Sequence, residues 1–293
     1  MRAEATLPSV PALMRDFAER HHLTLTDLVH REKVGIKSTS AAFLLVNQSA
    51  QLDHRALSDP SVGLLLNLLH RNFEHVEAAI TAFVSGCGPS AEVVARASVE
   101  SSVNILYILA GEPVARLRAY FDCHLEEVDA QVRKWKAQLT ELNENEAAMH
   151  QAAADQRLAA SAEVRRVVDG VFGSARERWA KSINERFKCI GESLGYRTFY
   201  ARMSSEAHGD AEETLRYFIG RMQSDETVLD AMALETVWTT RLYIYYAVSF
   251  FLRASLMYAR TYALSKIENQ LKSEIGAVER ELVAISEHVG VGF

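Results

Sequence analysis

The sequence predicts an all-α helical bundle that carries a long coiled-coil helix or hairpin, and three observations predict it. Prolines are few, at positions 8, 11, 60, 89 and 113, so little interrupts a helical chain after its first third. No run of β-branched residues alternates with period two, which leaves strands nothing to form from. Apolar residues recur instead in steps of three and four, the spacing that lines one side of a helix.

Taken in chain order, the spacing predicts a first helical region over about 9–57. Pro60 then sits where its fixed φ suits a first turn, and a helix runs from it to the break at Gly86, Gly88 and Pro89. Ser90 offers an N-cap for a very apolar helix over 91–110, which Gly111 and Pro113 close.

From Leu125 the apolar positions fall at Leu125, Val128, Val132, Trp135, Leu139, Leu142, Met149 and Ala153, with Glu146 as an exception. That pattern predicts a coiled-coil seam of about four heptads inside an insertion around 114–168. A similar stripe, Leu264, Ile267, Leu271, Ile275, Val278, Leu282, Ile285 and Val289, lies near the other end. The two stripes can pair within one chain or between two, and the second arrangement implies a homodimer.

Gly170 and Gly173 end the long helix, and a basic amphipathic helix follows to about Cys189. Gly191 and Gly195 lead into a short helix over 196–207, which His208, Gly209 and Asp210 break. Ser224 can cap the first of two long helices, 225–261 and 262–288, or one kinked helix. The organisation expected is an N-terminal helical region, 1–59, followed by one bundle, 60–293, with the coiled-coil insertion inside it.

Charge and cysteine usage narrow the function classes. A net charge of −6 argues against a protein that coats nucleic acid nonspecifically, because such affinity comes from many Lys and Arg contacts to phosphate. Between Arg165 and Arg202, however, nine basic residues stand against four acidic ones. A solvated helix face accounts for such a run as readily as a nucleic-acid contact. Cys87, Cys123 and Cys189 are odd in number and far apart, so reduced thiols and a cytoplasmic setting are expected. The apolar run 242–252 falls well short of the ~20 residues that span a bilayer, and it reads as a core helix. Residues 1–20 scatter charges among their apolar positions, so neither export nor a membrane partner is expected.

Two polar stripes carry the chemistry. Tyr200, Ser204 and His208 are spaced by four, which advances only about 40° per step around a helix and places them on one side, in line with Tyr196. Neighbouring hydroxyls can hold the tautomer of a histidine placed there. The same stripe is also what a packed helix shows when a histidine complements its C-terminal dipole. On the helix over 91–110, Glu92, Arg96, Glu100 and Asn104 are nearly the only strongly polar side chains on an otherwise apolar surface. They must meet solvent, a partner or an internal polar niche, although a Glu92–Arg96 helix salt bridge is an ordinary account of the first two.

The segment ARASVESSVNILYI (95–108), followed about 100 residues later by YARMSSEAHGD (200–210), resembles an uncharacterised bacterial all-helical family within the HEPN group of nucleotide-binding proteins and ribonucleases. The resemblance covers about 60–220. The group's hallmark, an arginine separated by four to six residues from a histidine, is matched by Arg202 and His208 with five between them. The resemblance implies metal-independent RNA cleavage, with His208 as acid and base, an arginine stabilising charge on the phosphate, and Arg96 and Glu100 in the same pocket. Tyr200, Ser204, Asn104 and Arg197 would line it. On an ideal helix Arg202 lies about 120° from His208 and Arg197 about 20° from it, so either arginine fits the role.

The resemblance also implies a dimer in which two subunits meet at the site, and a place in a toxin–antitoxin or phage-defence system with an antitoxin or other protein partner. No cofactor is expected. A non-catalytic helical module that binds a nucleotide or a protein is the rival reading. A di-metal bundle fails on ligands, since it wants two Glu-x-x-His pairs and only Glu19 and His22 supply one. Phosphate-binding glycine loops and GxSxG elbows are absent.

Overall fold

A computed structural model of the chain describes residues 7–24, 27–51, 59–206 and 226–289, together with 215, 218 and 222. Every regular element among them is helical, and the protein is an all-α bundle. Backbone contacts divide the chain into two units, Met1–Leu109 with Arg186–Phe293, and Ala110–Glu185. The first unit thus takes in the described part of the expected 1–59 region together with the later helices.

The first unit opens with α1 (Val10–Arg20), α2 (Asp27–Arg31) and α3 (Lys33–Gln51), followed by α4 (Pro60–Val84) and α5 (Gly88–Leu109). Pro60 does start α4, and the Asp59 carboxylate accepts the Ser61 N–H at 2.8 Å, an N-cap that offsets the missing early hydrogen bonds. Helix α5 begins two residues before Ser90, so Ser90 lies in its first turn and does not cap it. Between α4 and α5 the fully buried Asn72 donates to Ser102 Oγ at 2.7 Å and accepts from Ser98 Oγ at 2.8 Å, which satisfies both ends of its amide.

Two long helices complete this unit, which we number α11 (Glu226–Thr261) and α12 (Ser265–Val289) after the shorter elements below. Helix α11 packs on α3, α4, α5 and α12, and its run 242–252 is buried at every position. Surrounded on all sides, it needs no polar face. By length and composition it is the one described helix able to cross a membrane, yet 89% of its most apolar window is buried inside the protein. The α12 stripe (Ile267, Leu271, Val278, Leu282, Ile285) is buried against α11 and α3. One turn is polar: buried Glu274 accepts from Lys37 Nζ at 2.6 Å and Ser38 Oγ at 2.8 Å.

The second unit is an antiparallel hairpin of α6 (Pro113–Ala137) and α7 (Glu144–Phe172). Of the two arrangements expected, a long helix or a hairpin, the chain takes the hairpin: it turns between α6 and α7 through a 3-10 segment, Leu139–Glu141, so the seam read across 125–153 is not one continuous helix. Asn143 then accepts the Glu146 N–H at 3.0 Å and restarts the helix, so the even apolar spacing crosses a reversal. Met149, expected in the seam, is consequently exposed. The true seam sets Leu125, Val132 and Leu139 against Ala154, Ser161 and Val168, each set spaced by seven. The hairpin therefore closes on itself, and the stripe of α12 is spent within its own unit.

Candidate functional site

After Gly173 the chain runs outside regular structure to α8 (Ile183–Cys189). The expected basic helix is thus limited to that short piece. Next come α9 (Ser193–Gly195), a π-helical turn over Tyr196–Tyr200, and α10 (Ala201–Glu206). In the π turn Ala201 N–H donates five residues back, to the Tyr196 carbonyl. Such a turn widens the helix locally, so the ideal-helix angles that made Arg197 and Arg202 alternatives do not hold across it.

Ring contacts and an ion pair hold this turn. The Tyr196 and Tyr200 rings stack with centroids 5.7 Å apart, and Phe187 lies across both at 5.6 and 5.3 Å. Phe199 packs on Tyr246 of α11 at 4.5 Å. Before the turn, Glu192 is paired with Arg253 of α11. Gly195 is demanded by space: a Cβ there would meet Tyr246 Oη at 2.2 Å.

The turn delivers Tyr200 to α5. Its hydroxyl, buried, donates to Glu100 Oε2 at 3.0 Å, and the Arg96 guanidinium lies 5.6 Å from its ring centroid. Burial pushes the Tyr200 phenol above its usual range; the negative charge of Glu100 adds to this, while Arg96 opposes it. The phenol is therefore a neutral donor to a carboxylate, a charge-assisted hydrogen bond. One turn to either side along the α5 stripe, the Arg96 Nε and Asn104 Oδ1 atoms are buried, and no described residue takes up their hydrogen bonds. The first member of the stripe, Glu92, accepts from Thr240 of α11 at 2.5 Å.

Arg96, Glu100 and Tyr200 thus come together from helices about 100 residues apart in sequence, with Asn104 one turn beyond Glu100. Ser204 is half-buried on α10, and Arg197 and Arg202 are exposed. His208 lies outside the described residues, as do Gly209, Asp210 and Ser224. Among the described residues no group of three His, Cys, Asp or Glu side chains is placed to hold a metal.

Residues 63–227, more than half of the chain, match a family of unknown function, DUF5677. The chain belongs to DUF5677. No curated protein matches the chain, and no solved structure does. The DUF5677 match begins inside α4 and ends at the start of α11, so it contains Arg96, Glu100, Asn104, Tyr200, Ser204 and His208. Phe187, Tyr246 and the Glu192–Arg253 pair were not singled out from the sequence, and Gly195 only as leading into a short helix, although all of them position the turn. Their only visible signals were a glycine at the start of a helix and tyrosines inside an apolar run.

Proposed function

We propose that this DUF5677 protein is a HEPN-like, metal-independent endoribonuclease. His208 takes the proton from a ribose 2′-hydroxyl as the 2′-oxygen bonds to phosphorus, and a proton passes to the 5′-oxygen as its bond to phosphorus breaks. An imidazole titrating near neutrality suits both transfers. Arg202, or Arg197 in its place, stabilises the charge that grows on the phosphate. Arg96 and Glu100 set the floor of the pocket, with Tyr200, Ser204 and Asn104 as binding groups.

The observation that supports this reading is the Tyr200–Glu100 hydrogen bond under the Arg96 guanidinium. It ties the segment leading to His208 to the polar stripe of α5. A homodimer, an antitoxin or other protein partner, a toxin or phage-defence role and a cytoplasmic setting belong to the same proposal. One observation favours the rival: the buried Arg96 Nε and Asn104 Oδ1 atoms have hydrogen bonds that no described residue takes up, and such groups suit a bound ligand without requiring any cleavage.

The test is labelled RNA incubated in chelator with the wild type, His208→Ala and Arg96→Ala. Products ending in 2′,3′-cyclic phosphate, lost in His208→Ala, are expected. Equal cleavage by wild type and His208→Ala, or none by either, sinks the ribonuclease reading. Nucleotide binding that Arg96→Ala abolishes, without cleavage, would establish the rival.

A further inference from the structure

Helix α7 carries two apolar stripes, and its pairing with α6 uses one of them. The seam set Ala154, Ser161 and Val168 is buried against α6. About 120° around the helix a second row runs through Met149, Val164, Val167 and Val171, in line with Ala153, Gln156 and Ala160. Met149 is 74% exposed, the three valines 46% to 58%, and the other three residues are exposed as well. A helix with apolar side chains on two separate arcs has two neighbours to meet, and a contiguous row of this kind in water marks an association surface. The whole row lies within the hairpin unit.

We infer that this row is a contact between two copies of the chain, which pair antiparallel, α7 against α7, across a two-fold axis at Ala160. A contact of a surface with its own copy must be self-complementary. The steps along the row, 4, 3, 4, 4, 3 and 4, read the same in both directions from Ala160. Antiparallel pairing therefore sets Met149 opposite Val171 of the second copy, Ala153 opposite Val167, Gln156 opposite Val164, and Ala160 opposite Ala160. Each valine meets a side chain of another size or shape, so volumes even out along the contact, while the paired alanines let the backbones approach at the axis.

Charge selects this direction over the parallel one. Glu146 is exposed and continues the row towards the start of α7, so a parallel pair would set two carboxylates against each other. Antiparallel pairing keeps them apart by more than the length of the row, about 33 Å, and lets the two helix dipoles oppose. A footprint of that length and about 10 Å width falls below the roughly 800 Å² per partner of a standard interface, so the pair should dissociate on dilution. This contact goes beyond the dimer that the ribonuclease reading places at the catalytic pocket, and it does not depend on that chemistry.

Sedimentation velocity of the full-length chain across the micromolar range should show a reversible monomer–dimer equilibrium. Val164→Glu together with Val167→Glu should weaken it by about 100-fold or more, since every substitution enters the contact twice. Val283→Glu, which charges an exposed valine of α12, should leave it unchanged. All three sites are exposed, and circular dichroism checks that helix content is kept. Direction is read by cross-linking with a short bis-maleimide, in a background of Cys87→Ser, Cys123→Ser and Cys189→Ser. Met149→Cys chains mixed with Val171→Cys chains should give cross-linked dimer, and neither should do so alone.

A chain that stays monomeric at every concentration overturns the inference. So does a dimer that survives the two glutamates, which is the result expected if the copies meet only at the catalytic pocket. Cross-linking of Met149→Cys chains to one another overturns the antiparallel register. The cleavage assay decides the enzyme reading separately from all of these.

Discussion

Alanine at Gly195 should destabilise the protein for one identifiable reason, the hydroxyl of Tyr246. The backbone raises no objection, because Gly195 has helical angles (φ −57°, ψ −35°), and Ala is favoured over Gly in a helix by about 0.5–1 kcal/mol. The new Cβ would sit 2.2 Å from Tyr246 Oη, more than 1 Å inside ordinary contact, while Cζ at 3.5 Å is acceptable. The ring cannot swing aside, since Phe199 and Phe250 pack on it at 4.5 and 4.8 Å. Overpacking of this kind costs about 1–3 kcal/mol, so Gly195→Ala should lose about 1–2 kcal/mol after the helix gain.

Phenylalanine at position 246 removes the obstructing atom. It should be nearly neutral alone, because Tyr246 Oη is buried and no described residue hydrogen-bonds to it. In the Tyr246→Phe background the sign should reverse, with Gly195→Ala stabilising by about 0.5–1 kcal/mol. Urea unfolding of the wild type, both single variants and the double variant closes this cycle. Additive losses would refute the reasoning, since they would mean that the alanine acts without the hydroxyl.

Other consequences follow from the same contacts. Tyr200→Phe keeps the ring under Arg96 but removes the donor to Glu100, and should cost about 1.5–3 kcal/mol; a cycle with Glu100→Gln should show coupling, and independent effects would contradict the hydrogen bond. Asp59→Ala removes the cap of α4 and should lower stability by about 1 kcal/mol, or about 2–4 °C in melting temperature, read by calorimetry. Burial, ahead of nearby carboxylates, raises the phenols of Tyr200, Tyr245 and Tyr246 above the ordinary 10. A raised folded-state value favours the neutral form, so this stability is whole below about pH 10 and lost as pH climbs through the raised values. Ultraviolet titration should therefore leave part of the phenolate signal to appear only with alkaline unfolding, and complete ionisation in folded protein at pH near 10 would disprove it.

Local spacing made much of the fold legible. Pro60 begins a helix because proline suits the first turn, and 242–252 is a core helix because its apolarity surrounds it; Pro113, read as closing the helix before it, also begins the next. The stripe Glu92, Arg96, Glu100 and Asn104 was visible as polar positions on an apolar helix. The coiled-coil register around 125–153 was not legible, because a seven-residue period can continue across a tight reversal, and only the Asn143 cap distinguishes the two. Likewise the π turn at Tyr196–Tyr200 depends on Phe187, Tyr246 and Arg253, which are distant in sequence or on another helix, and no four-residue spacing encodes it.

By itself, then, the sequence determined where most of the helices lie and which of their faces are apolar, since both follow from neighbours within a turn or two. Tertiary structure decided which face meets which: that α12 serves α3 and α11, that α6 folds onto α7, and that Tyr200 reaches Glu100. Periodicity states that a helix has something to bury, but the partner is selected by shape and charge across long separations, which no local pattern contains.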